Sequence, residues 1–145
     1  MKHPDLEHPE LGILQYQQEY DWYEGKIEVQ QSEILIRLST DERGNVAAAL
    51  ERANNLVEEL ERYAQLAKEY AAVMLLQIKN ETWIDDDEQP LTPEQFQQRT
   101  SLESISIDAA GEISFYHNDD DLFWGHCILV TMDSENNFIG AEIAG

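Results

Sequence analysis

From Val46 to Gln89 the chain carries neither glycine nor proline. Within that stretch Val46, Leu50, Ala53, Val57, Leu60, Ala64, Ala67, Ala71, Met74 and Ile78 recur at alternating spacings of four and three. Such a repeat lines one face of an α-helix, and Asn45 stands where an N-cap belongs. A single straight helix of that length would reach roughly 50 Å at 1.5 Å per residue, whereas a compact domain of this size is only about 38 Å across. The expectation is therefore two packed helices that part between Glu61 and Gln65. The alternative, a projecting coiled-coil arm that would force dimerisation, suits the many alanines of the seam less well.

The pattern on either side has a period of two. Leu11 to Tyr16, Trp22 to Gln30 and Glu33 to Leu38 read as strands before the helix, the second and third forming a hairpin over the polar link Gln31-Ser32. Leu102 to Ile107, Glu112 to His117, Phe123 to Met132 and Phe138 to Ile143 read as strands after it. Between the two sets, Asp85 to Pro90 is an acidic connector, and Thr92-Pro93-Glu94-Gln95 starts a short helix with an N-cap and a proline at its first position. The expected fold is α+β: three N-terminal and four C-terminal strands, mostly antiparallel, with a central helical layer on one face. At 145 residues one domain is expected over 1–145, with 1–10, interrupted by Pro4 and Pro9, as a loosely attached lead-in.

Nine basic residues against thirty acidic ones give a formal charge of −21. That charge argues against nucleic acid, whose affinity depends on neutralising phosphates, and against an anionic membrane surface. It favours a basic protein partner and keeps a chain in solution. The stretch Met1 to Leu14 has no apolar export segment, and no stretch approaches a bilayer span, so a cytoplasmic location is expected. The single Cys127 excludes an intramolecular disulfide.

The densest run of reactive side chains is Phe115 to His126, with His117, Asp119, Asp120, Asp121 and His126. If Asn118 to Asp121 is the hairpin loop, His117 lies opposite Leu122 and about 13 Å from His126, too far for both to hold one ion. On that register His126 is an imidazole of a central strand and His117 sits exposed at the loop edge. The three aspartates lack the alternating pattern of an EF-hand, so no metal and no cofactor is expected. No phosphate-binding glycine loop, paired cysteines, nucleophile elbow or zinc-protease motif occurs. Trp22, Tyr23, Trp83 and Trp124 are the candidate binding anchors, since Trp and Tyr dominate interface energetics.

Asp121-Leu122-Phe123-Trp124-Gly125-His126-Cys127-Ile128 and Gly140-Ala141-Glu142-Ile143-Ala144-Gly145, with His8-Pro9-Glu10-Leu11-Gly12 and Trp22-Tyr23-Glu24-Gly25, resemble an uncharacterised bacterial family, domain of unknown function 2262. The resemblance runs from His8 to Gly145 and implies a bacterial globular protein, with no catalytic residue to carry over. The expected role is a non-catalytic acidic module that binds or inhibits a basic protein, in the manner of an immunity protein, as monomer or dimer. The alternative is a metal-assisted or His-based hydrolase using His126 and an acid from Asp119 to Asp121.

Overall fold

The computed structural model describes residues 3–144; Met1 and Lys2 of the expected lead-in, and Gly145 of the closing motif, lie outside the described residues. Eight strands form one sheet in chain order: β1 (Leu6–His8), β2 (Gly12–Gln17), β3 (Trp22–Val29), β4 (Ser32–Ser39), β5 (Ser101–Ile107), β6 (Ile113–Asn118), β7 (Cys127–Met132) and β8 (Phe138–Ala144). The strands thus number four before the helices and four after, not three and four. All neighbours are antiparallel except β4 and β5, which the helical crossover makes parallel. The β3–β4 hairpin turns on Gln30 and Gln31, both with positive φ as a two-residue turn requires, while Ser32 is already paired with Val29.

The extra strand falls in the expected lead-in. The Nδ1 of His8 accepts hydrogen bonds from the backbone N–H groups of Glu10 and Leu11, and its Nε2 meets Asn54 of the first helix. Leu11 and Leu14 are buried, and the His3 ring stacks on Tyr16. β2 pairs with β3 only over Gln15–Gln17, and its Leu14 side chain comes to rest against Gly25 of β3.

The helical run comprises α1 (Ala47–Leu56), one turn of tighter 3-10 helix (Val57–Glu59) and α2 (Leu60–Glu81); α3 (Pro93–Arg99) follows. The run is one long helix interrupted by a 3-10 turn that precedes the expected break, not two helices packed on each other, and its halves rest on different strands, α1 against β4 and β5 and α2 against β3, β7 and β8. Poor helix formers, Asn54, Asn55 and Val57, lead into it. Asn45, expected as the N-cap, stands one residue before it: the N-cap is Val46, without a side-chain cap bond, and the Oδ1 of Asn45 accepts from the N–H of Ala47.

The buried positions are Ala49, Ala53, Leu56, Leu60, Ala64, Ala67, Ala71, Leu75 and Lys79, joined by Ala72. Met74 and Ile78, expected inside, are exposed, and Leu50 and Val57 are only half-buried. The cause is geometric. A strict repeat of 3.5 slips by about 20° per heptad on a straight helix, so from Val46 to Ile78 the stripe rotates by roughly 90°. Its middle meets the sheet, and its ends swing off it.

The helices cover the sheet face that carries Ile34, Ile36, Leu38, Ile105, Ile107, Ile113, Phe115, Ile128, Val130 and Met132, which together with the alanines of α2 form the core. Small side chains at the helix seam let α2 approach the sheet closely. No helix of the described residues is long and apolar enough to cross a membrane.

Candidate functional site

Two turns at one end of the molecule meet through aromatic rings. Trp83 follows the last turn of α2, and the loop from Asp119 to His126 joins β6 to β7. The Trp83 ring makes edge contacts with Trp124 at 4.7 Å, His126 at 5.5 Å and Phe123 at 5.7 Å between centroids. Phe123 in turn rests on Phe96 of α3, both fully buried. Phe96 and Phe123 form the floor of the site. Trp124, 59% exposed, forms its rim.

The loop exists because of Asp119. Its buried carboxylate accepts from the N–H groups of Phe123 at 2.9 Å, Gly125 at 3.1 Å and Asp121 at 3.2 Å. These bonds draw the chain into a compact knot in which Asp120, Asp121, Trp124 and Gly125 all adopt positive φ. A tryptophan is costly in that backbone region, and such strain concentrates at working sites. Three amides of 119–126 are thus captured before they can join a ladder, which corrects the expectation that β7 starts at Phe123. The strand starts at Cys127.

The register moves with it. His117 pairs with Ile128, not Leu122, and Phe115 with Val130. His117 is therefore not exposed at a loop edge: it is 1% exposed on the helix-covered face. Burial, followed by the nearby Lys68 charge, pushes its pKa down to about 4. Neither ring nitrogen reaches a partner in hydrogen-bonding geometry, although the backbone of Ile128 and Phe115 offsets part of the shift. His126, expected inside a central strand, instead sits half-buried at the loop exit, with Nδ1 2.7 Å from the carbonyl oxygen of Phe123.

The acidic residues divide by task. Asp119 is spent on the loop, and Asp120 faces Arg99 at the end of α3, whose Nε lies 2.5 Å from Oδ2 and whose Nη2 donates to the Asp120 carbonyl at 2.7 Å. Asp121 is exposed. On the other side of the aromatic cluster, Asp85, Asp86 and Asp87 are exposed and Glu88 is half-buried. The Glu88 carboxylate accepts from the N–H of Asp85 and from Lys79, and these bonds hold its pKa below the usual value. Among the described residues no group of three or more His, Cys, Asp or Glu side chains is placed to hold a metal ion.

Of the residues singled out in the sequence, Trp83, Trp124, His126, Asp119, Asp120 and Asp121 come together here. Trp22 and Tyr23 do not. They lie on β3, near the opposite edge of the sheet and on its two opposite faces. Tyr23 is buried in the core, while Trp22 is half-buried, stacked on Tyr20 at 4.5 Å with the Arg37 guanidinium over its ring. The residues that sequence reasoning missed are supports: Lys79, Asn80, Arg99 and Phe96. Asn80 clamps the backbone of Leu91 through both its amide atoms, closing the 82–92 connector beneath Trp83. Long-range side-chain to backbone bonds of this kind leave no periodic trace.

Another depression, of about 630 Å³, lies between Ser39–Arg43 and Asp108–Ala110. Its two aspartates are occupied by their own turns: Asp41 accepts from the N–H groups of Arg43 and Asn45, and Asp108 from those of Ala110 and Glu112. The Cys127 thiol, half-buried beside the site, is pushed up in pKa by burial and then by the charges of Glu103 and Asp119, which makes it a poor nucleophile.

Comparison with curated proteins and with solved structures gives no match. A family model described as an uncharacterized protein conserved in bacteria (DUF2262) matches residues 8–143, and the chain belongs to that family.

Proposed function

We propose that the chain is a non-catalytic binding or inhibitory module that docks a basic protein in the cytoplasm, with Trp124 as the apolar anchor. The observation that carries this reading is Trp124 itself. It is more than half exposed, it is held in left-handed backbone against Trp83, and exposed carboxylates lie within a few residues of each ring, Asp85–Asp87 after Trp83 and Asp121 before Trp124. An exposed indole on a rigid support binds without losing much side-chain freedom, and surrounding negative charge accelerates encounter with a cationic surface. An arginine or lysine of the partner would find the Trp124 face and the carboxylates within one footprint. The hydrolase alternative has less support: Asp119 and Asp120 are engaged by backbone amides and by Arg99, which leaves only Asp121 of the three free to act with His126.

The test is affinity capture from the native host at low and at high salt, with wild type and Trp124→Ala side by side. The expected result is a basic protein that is held at low salt, released at high salt and lost with the variant. A bound set that is the same for both proteins, or that contains no basic member, overturns the reading.

A further inference from the structure

The two edges of the sheet are unlike. β1 is three residues long and carries Glu7 and His8, an ordinary way of blunting an edge. β8 is seven residues long, with neither proline nor lysine, and the irregularity in its pairing falls at its start, opposite Thr131 and Met132. Among the described residues nothing pairs with its outer side. Beside it α2 presents apolar side chains to solvent: Tyr70 stacks on Phe138 of β8, Val73 is 79% exposed, and Ile139 of β8 is 55% exposed. Leu66, Tyr70, Val73 and Phe138 line an open depression of about 440 Å³ between the helix and the β7–β8 turn, with Arg62 and Glu69, of opposite charge, at its margin. Positions 66, 70, 73 and 74 share one face of the helix, next to the face buried on the sheet.

We propose that this edge binds a second copy of the chain. Two β8 strands pair antiparallel across a two-fold axis, two eight-stranded sheets become one, and the Val73 faces of the two α2 helices meet above the seam. The row of backbone N–H and C=O groups along the outer side of β8 is a template on which another strand can pair. Charge selects which strand. A molecule of charge −21 is repelled least by its copy where its surface has no net charge: Glu142 is the one charged residue of β8, Arg62 and Glu69 at the depression offset each other, and Tyr70 to Ile78 of α2 contains no charged residue. A basic partner gains nothing from so neutral a surface.

The register is compatible as well. An axis through Ala141, within the regular part of β8, sets Glu142 opposite Gly140 of the other copy, so no two carboxylates stand opposite each other. Because side chains alternate along a strand, an axis on a residue also keeps Ala141 and Ile143 of both copies on the helix side.

The experiment is light scattering on the full chain over a dilution series, with wild type, Val73→Glu, Ile139→Lys and, as a control at the far edge, Tyr20→Glu. All three positions are exposed in the single chain, so unchanged far-ultraviolet circular dichroism reports that each variant folds. Wild type and the control are expected to have twice the mass of one chain, and Val73→Glu, which places like charges across the seam, to weaken association by about a hundred-fold. Wild type that stays monomeric at every concentration overturns the proposal. So do dimers that persist unweakened in both Val73→Glu and Ile139→Lys. Neither result bears on the basic-partner reading, which uses a different surface.

Discussion

The ammonium of Lys79 lies 2.6 Å from the carbonyl oxygen of Trp83 and is almost entirely shielded from water. It also pairs with Glu88 at 3.2 Å, so one buried cation ties the end of α2 to the acidic connector and sets Trp83 at the height where it meets Trp124. A buried charge of this kind is kept only where its bonds are satisfied, because an unpaired one is expensive to hold in an apolar interior.

Lys79→Met keeps the aliphatic stem and removes the charge. It leaves the Trp83 carbonyl without its donor and Glu88 without its cation, so a loss of about 1–3 kcal/mol is expected in urea denaturation. The indole fluorescence should shift as Trp83 and Trp124 separate. A Met variant as stable as wild type with an unchanged spectrum would show that the bond does not position the site.

His117 makes the fold sensitive to mild acid. Its pKa is about 4 when folded, against 6.5 for a free imidazole. Between those values the unfolded chain binds the proton and the folded chain does not, so the stability is complete above pH 6.5 and is lost as pH falls towards 4. The loss is on the order of 3 kcal/mol across the whole window. Comparison of denaturation midpoints at pH 7 and pH 5 for wild type and His117→Leu isolates it: the variant should lose distinctly less over that interval. Equal losses in both would rule out His117 as the source.

Gly25→Ala should weaken the N-terminal hairpin. A Cβ there would lie 2.6 Å from Leu14 Cδ2 and 3.0 Å from the backbone oxygen of Ile13. The leucine tip can give way, but the carbonyl of a paired strand cannot move freely, and overpacking of this kind costs about 1–3 kcal/mol. Thermal melts check it. A variant melting with wild type would mean that β2 shifts without penalty.

Asp119→Ala strips three amides of their acceptor at once, those of Asp121, Phe123 and Gly125. Destabilisation of about 2–4 kcal/mol is expected, with the 119–126 amides losing hydrogen-exchange protection ahead of the sheet. Asp120→Asn, which tolerates the positive φ of that position, removes only the charge facing Arg99 and should cost less than about 1 kcal/mol. Equal effects from the two substitutions would contradict the loop assignment.

The strands from Trp22 to Leu38 and from Leu102 to His117 were legible because alternation along a strand is a local signal, and so was the α3 cap, where Thr92 and Gln95 complete a capping box three residues apart. The candidate site was legible in part. Residue types drew attention to 117–126, but the register placed on them was wrong, since the bonds of Asp119 to amides up to six residues away act against the alternation of Phe123 to Met132. Trp83 and Trp124 stand as separate anchors in the sequence, and nothing in their separation says that they touch.

Period, charge and turn chemistry are properties of neighbouring residues, and by themselves they determined an α+β chain with a central amphipathic helical layer between two sets of alternating strands; that the layer is one long helix was decided by the tertiary structure. Tertiary structure decided which helical positions are buried, because a 3.5-residue repeat rotates along a straight helix and the sheet beneath it has a finite width. It also decided that Lys79 is an inner residue and Met74 an outer one, and that His117, not His126, is the imidazole sealed in the core. Each of these outcomes depends on what packs against the side chain from a distant part of the chain.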